Sequence, residues 1–207
     1  MNQGPFKETL HLINNPDKMK TSWKIVLLEG ACLTGILTMF ILPLFSVPGY
    51  SITRNTLCEL GAQFTPFAWI MNLVFLILAL NSVNAGWDYF EDFVLHRIAL
   101  VLCALSLILM AIFNHAPADP DIPYNIKEAV WHAYFAGTAI LSFTLLSLAT
   151  GFVLEKQFDR AVSVAAGFSI IFLSLLTSEA GIYSGVWERL MYMVSTGWLI
   201  YILKTGK

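Results

Sequence analysis

The sequence predicts an all-α integral membrane protein: a bundle of six transmembrane helices with both termini cytoplasmic and a short interfacial helix in the first outer loop. Three observations carry this reading. Hydrophobic residues fill 57% of the 207 positions and charged residues only 13%, against roughly 25% charged in soluble domains. The mean hydropathy is +0.68. Six apolar segments, each close to the roughly 20 residues that a bilayer core demands, alternate with short stretches that gather the prolines, glycines and charges.

Residues 1–22 read as a cytoplasmic N-terminal segment. Phe6, Leu10 and Ile13 recur at helical spacing before Asn14-Asn15-Pro16, which suits an amphipathic helix on the membrane surface as well as a tail. No cleavable signal peptide is expected, because the first apolar run follows about twenty polar residues and is long enough to span. One transmembrane domain, 23–207, then holds segments at 23–47, 66–86, 93–114, 128–153, 161–181 and 186–204. Pro43 and Pro48 bend or end the first, Gly86-Trp87-Asp88 ends the second, and Gly181 and Gly185 bracket a turn before the sixth.

Six spans sort the basic residues unequally. One side receives Lys7, Lys18, Lys20, Lys24, Arg97, Lys156, Arg160, Lys204 and Lys207; the other receives Arg54, Lys127 and Arg189. Basic loops stay in the cytoplasm, so both termini are placed there, in a multi-pass protein of the cell (inner) membrane. The net charge of −2 argues against nucleic acid as a partner. Membrane lipids are the expected partners, with a second copy or another membrane protein as further ones. Cys32, Cys58 and Cys103 show no metal-type spacing, so no disulfide framework is expected.

The topology puts unusual polar residues in every outer loop. Asn114 to His132 contains Pro117, Pro120 and Pro123, which forbid a helix and make a stiff loop. The first outer loop carries Ser51, Arg54, Asn55 and Glu59; the second carries Asn114, His115, Asp119, Asp121, Glu128 and His132; the third carries Ser178, Glu179, Glu188 and Arg189. They are predicted to converge in one pocket. Thr56-Leu-Cys-Glu59 matches a capping box and Gly61 stops the helix it starts. Glu59 is therefore a cap or a ligand-binding carboxylate, and Arg54 is suited to an anion through its planar fork.

Glu128 and His132 share a helix face, and His115 ends the preceding helix. His115, His132 and Asp119 have the chemistry of a divalent-metal site, although no HxxxH or HExxH is present. His132, oriented by Asp119 or Glu128, also suits acid–base work. The bland alternative is a hydrogen-bonded network at the helix start, capped by Asp121 or Asn125. Glu179 ends a long apolar run, where a carboxylate needs a partner or a purpose; Arg189 is its expected partner. Glu29 lies inside the first helix, with His96, Arg97 or Asn81 as expected partners. A relay from Glu29 to Glu179 would be transporter-like.

Three blocks carry a family resemblance: Asn55-Thr-Leu-Cys-Glu59-Leu-Gly61-Ala62 with Asn72, then His115-Ala-Pro-Ala-Asp119 with His132, then Gly185-Val-Trp-Glu188-Arg189-Leu. From residue 23 onward the chain resembles a bacterial and archaeal six-helix membrane family known as a domain of unknown function (number nine-nine-eight), itself akin to Frag/DRAM/Sfk-type membrane proteins. The second block departs from the family pattern, with Asn114-His115-Ala116-Pro117 in place of glycine and phenylalanine. The resemblance implies six helices and a polar cluster on the outer face, and no reaction.

The functional expectation is a membrane protein that binds or acts on a lipid or lipid-linked anionic substrate at that cluster. Arg54, Asn55, Glu59 and Arg189 would hold the substrate, while His132, Asp119, Glu128 and Glu179 would handle protons; Ser51, Ser178 and Cys58 are the candidate nucleophiles. The alternatives are a non-catalytic lipid- or partner-binding protein, in which the same residues order the loops, and a small ion- or proton-coupled transporter.

Overall fold

The computed structural model describes residues 16–205 apart from Pro120 and Ala180, with side chains from Trp23 onward. The amphipathic reading of Phe6, Leu10 and Ile13 lies outside these residues. Among them are seven α-helices and no strand: α1 (Pro16–Ile41), α2 (Leu57–Leu60), α3 (Ala68–Tyr89), α4 (Val94–Ile112), α5 (Ile126–Val153), α6 (Gln157–Ser178) and α7 (Ser184–Thr205). Five of them, α1 and α3–α6, are long and apolar enough to cross a membrane. α7 matches α6 in length at 22 residues but carries Glu188 and Arg189 near its start.

Local sequence explains the ends. Pro16 opens α1 where its missing N–H costs nothing, so this helix begins earlier than the apolar run. Pro43 sits in the first turn of a 3-10 segment, Leu42–Phe45, that extends α1. Gly86-Trp87-Asp88 does not end α3, which runs on to Tyr89; Gly86 instead lets α4 approach, since a Cβ there would press on Leu100. Gly167 does the same between α6 and Leu148 of α5, a close approach typical of membrane helix pairs.

Each long helix packs on the next long helix, and α7 returns to α1, so the six form a closed ring. α2 sits at one end of this ring, with the connections 42–67, 113–125 and 179–183. The opposite end gathers the connections 90–93 and 154–156. The ring interior is apolar, built around Leu28, Met71, Leu100, Leu146, Leu199 and Ile202. Inside it, Trp198 Nε1 donates to Ser163 Oγ (3.0 Å) and Ser147 Oγ to the Ser163 carbonyl (2.7 Å), joining α5, α6 and α7.

The carboxylate inside α1 is paired differently from expectation. Glu29 forms an ion pair with Lys204 of α7. Arg97 instead lies over the Trp87 ring at 4.6 Å and donates to the Trp87 carbonyl, His96 stacks on Phe90 and meets Phe93 at a tilt, and Asn81 bonds back to Ile77 in its own helix. Lys204 wins because helix-ring closure brings the last turn of α7 beside α1.

Candidate functional site

The α2 end is a web of buried and half-buried hydrogen bonds with Arg189 at its centre. Its side chain, 2% exposed, rises from the second turn of α7 into the loop that precedes α2. Nη1 donates to the carbonyls of Ile52 (2.8 Å), Asn55 (2.9 Å) and Gly185 (2.8 Å); Nη2 donates to Tyr50 Oη (3.0 Å), and Nε and Nη2 both face the Met39 carbonyl. All five donors of the fork are thus engaged. Met39 lies in the last turn of α1, whose carbonyls have no partner in the helix and favour a cation. Glycine is required at 185, because a Cβ would collide with the carbonyl oxygens of Asn55 and Ile52.

α2 is only four residues long and cannot hold itself. Thr56 and Glu59 close the expected capping box, Oγ1 accepting from Glu59 N (3.3 Å) and the Glu59 carboxylate from Thr56 N (2.7 Å). The Glu188 carboxylate adds a second cap, accepting from the Leu57 N–H and from Cys58 Sγ (3.1 Å). Burial, reinforced by Glu188, pushes the Cys58 thiol well above its ordinary range, which disfavours the thiolate. Burial also pushes the Tyr50 phenol up to about 12, so it stays an O–H donor, to the Thr56 carbonyl at 2.7 Å.

Gln63 fastens the first loop to the second. It is 8% exposed; its Nε2 donates to the carbonyls of Asn114 (3.4 Å) and Asn125 (3.1 Å), and its Oε1 accepts from Asn125 N (2.9 Å). Asn72 Nδ2 reaches Asn114 Oδ1 (2.8 Å) and the Gly61 carbonyl (3.4 Å). Glu128 accepts from Asn114 N (3.0 Å), and Asn125 caps α5.

The two histidines meet. Their ring centroids lie 5.2 Å apart, edge to face. His132 Nδ1 faces the carbonyls of Phe113 (2.7 Å) and Met110 (3.2 Å), at the end of α4, and His115 Nδ1 faces the Ala116 carbonyl (2.7 Å). Metal-binding imidazoles are often anchored in this way. Yet among the described residues no three of His, Cys, Asp and Glu gather as a ligand set. Asp119 accepts from Asp121 N in its own turn instead (3.0 Å) and is exposed, so His115, His132 and Asp119 do not form the expected metal trio. Nor does Asp119 or Glu128 orient His132; the carbonyls of α4 do.

The remaining candidates separate. Glu179 is exposed at the end of α6 and is not paired with Arg189, because the first loop occupies that guanidinium. Arg54 also points outward; its carbonyl, not its side chain, joins the web by accepting from Ser184 Oγ. Asn55 bonds the loop to itself, its Oδ1 accepting from Ser51 N (2.8 Å). Ser51 pairs with Thr53 and Ser178 with the Leu175 carbonyl. Sequence reasoning missed Gln63 and Tyr50. An amide directly after Gly61-Ala62 was a faint signal for Gln63; Tyr50 offered none.

Below the web lies an apolar cavity of about 140 Å³ inside the ring. Leu57, Cys58 and Glu188 line its α2 end, and Phe75, Leu107, Met110, Ala139, Ile170 and Leu199 are among the residues of its wall.

Fold and site together define a class: an all-helical, multi-pass membrane protein with its polar residues gathered at one end of the bundle. The family model described as a protein of unknown function (DUF998) matches residues 31–203, and the chain belongs to that family. No curated protein and no solved structure matches it.

Proposed function

We propose that the chain is a six-span protein of the cell (inner) membrane, with α7 as the sixth span and both termini cytoplasmic, that binds a lipid through the outward-facing α2 end. The topology is supported by charge: Arg54, Lys127 and Arg189 fall at the α2 end, whereas Lys24, Arg97, Lys156, Arg160 and Lys204 fall at the other, as basic loops retained in the cytoplasm require. Glu188 and Arg189 are compatible with a span because each is held by buried partners.

One observation carries the lipid reading. The cavity is apolar along its wall and meets Glu188 and Cys58 at its α2 end, so its polarity runs as an amphiphile's does. Its size sets a limit: at about 140 Å³ it falls below the roughly 300–1,000 Å³ of pockets that enclose whole ligands. It holds one segment of a lipid. The anionic clamp narrows, since the loop carbonyls use Arg189 fully and Arg54 alone stays exposed. The same saturation favours binding over catalysis: Arg189, Glu188, Glu59 and Glu128 order loops. The transporter reading gains nothing, with Glu29 paired to Lys204 and Glu179 exposed.

Native mass spectrometry of the protein released gently from detergent tests this, read for lipid and metal together. A retained lipid is expected, lost in Ala139→Leu, which fills the cavity wall. A bare protein that keeps its fold counts against lipid binding, and a stoichiometric divalent ion lost in His115→Ala would restore the metal reading.

A further inference from the structure

We propose that the loop joining α2 to α3 anchors its end of the bundle in the lipid boundary of the bilayer, with Phe64 and Phe67 as the inserted side chains. This surface is separate from the cavity, whose lining includes neither phenylalanine. The assignment therefore holds whether or not the cavity takes a lipid.

The backbone supplies the first observation. Phe64 has φ 61° and Phe67 φ 57°, inside the left-handed region that glycine enters freely and a bulky L residue enters at a cost. Such residues persist where their surroundings over-determine them. Gln63 and Thr65, each 8% exposed, are pinned inward on either side of Phe64. Gln63 N donates to the His115 carbonyl (3.0 Å) and Thr65 Oγ1 to the Glu59 carbonyl (3.2 Å). Phe64 is thereby turned out: it is 69% exposed and Phe67 52%, so the chain leaves half or more of each uncovered.

The loop is also built for an apolar medium. Residues 60–87 contain no Asp, Glu, Lys or Arg, so the uncharged stretch begins before α3 does. Arg54, Asp119, Asp121, Lys127 and Glu179 put charge into the other connections at this end. Gly61, Ala62, Gln63, Thr65 and Ala68 donate their N–H groups to carbonyls of the chain, and Pro66 has none to satisfy. Backbone that enters lipid must be satisfied internally in this way.

Continuity names the occupant. Trp69 in the first turn of α3, and Leu44 and Phe45 at the end of the stretch that α1 opens, are exposed. Both belong to stretches apolar enough to span, and α1 packs on α3. Phe64 and Phe67 carry that lipid-facing surface past the helix start, where aromatic residues gather at membrane boundaries. A protein interface would carry a polar rim, whereas this loop turns Gln63 and Thr65 inward.

Two photoreactive diazirines, applied to the wild-type protein in phosphatidylcholine nanodiscs, test the assignment. One is carried near the glycerol end of a lipid acyl chain and the other is water-soluble; adducts are mapped by peptide mass spectrometry. Trp69 is the lipid reference, and the exposed Asp119 and Asp121 are the aqueous one. Phe64 and Phe67 are expected to be modified by the lipid-borne reagent and spared by the soluble one, the reverse of Asp119 and Asp121. Modification of both by the soluble reagent alone overturns the anchor and makes the loop water-facing. Modification by neither also overturns it, and means that protein, such as a second copy, covers the rings. Both failures leave lipid binding in the cavity to its own test, and no variant has to fold.

Discussion

The two ends of the helix ring solve the same problem with different chemistry. At the α2 end, the connections 42–67 and 113–125 are tied to each other and to α3 and α7 by half-buried hydrogen bonds of Arg189, Glu188, Gln63 and Asn72. At the other end, Lys24 meets Asp88 and Lys204 meets Glu29 in half-exposed ion pairs. Chain length explains the contrast. The connections at the second end are a few residues long and need little ordering, whereas the first connection at the α2 end runs through residues 42–67 and folds back over the ring. A long loop folded onto the bundle must satisfy its buried carbonyls from protein. One buried arginine does that for the carbonyls of Ile52 and Asn55, and bonds the Tyr50 hydroxyl beside them.

The comparison is sharpest at Arg189. Arg189→Met keeps the bulk of the stem but leaves the carbonyls of Ile52, Asn55 and Met39 without donors. A loss of about 3–5 kcal/mol is expected, as for removing one partner of a buried charged network, seen as failure to accumulate or a collapsed melting temperature in detergent. Arg189→Lys fares little better, because an ammonium lacks the planar fork. A variant that melts normally would show that α2 and its loop are held by other contacts. A smaller effect is expected at Gln63, where Gln63→Ala removes three neutral hydrogen bonds between the first and second loops. About 1–3 kcal/mol follows, with hydrogen exchange rising at Asn114 and Asn125 and not at Asp88.

Residue by residue, the sequence exposed what repeats or obeys a short rule. The apolar segments follow from bilayer thickness, and Thr56 to Glu59 follow from a four-residue motif, so α2 is legible in the sequence itself. The role of Arg189 was not. A charge next to Glu188 and near Glu179 reads as an ion pair, and only the return of α7 to α1 shows that backbone carbonyls 130 or more positions away claim the guanidinium. Glu29 misled for the same reason: its partner Lys204 is distant in sequence and adjacent only because the ring closes. Gln63 carries no periodicity at all, and its meaning lies entirely in the loop it touches.

The weakest element of the comparison is that ion pair, and it provides the control. Lys204 and Glu29 are 50% and 37% exposed at their side chains, so solvent screens the attraction and both side chains give up rotamer freedom to meet. Pairs of this kind contribute about 0.2–1 kcal/mol. Lys204→Gln should therefore lower the melting temperature by a degree or so at low salt and by nothing measurable at 0.5 M, where roughly 4 Å of Debye length remains. The Arg189 variant should show no such salt dependence, because its bonds are buried and go to carbonyl dipoles. A large, salt-insensitive loss at Lys204 would mean that α1 and α7 are closed by this contact, and the distinction between the two ends would fall.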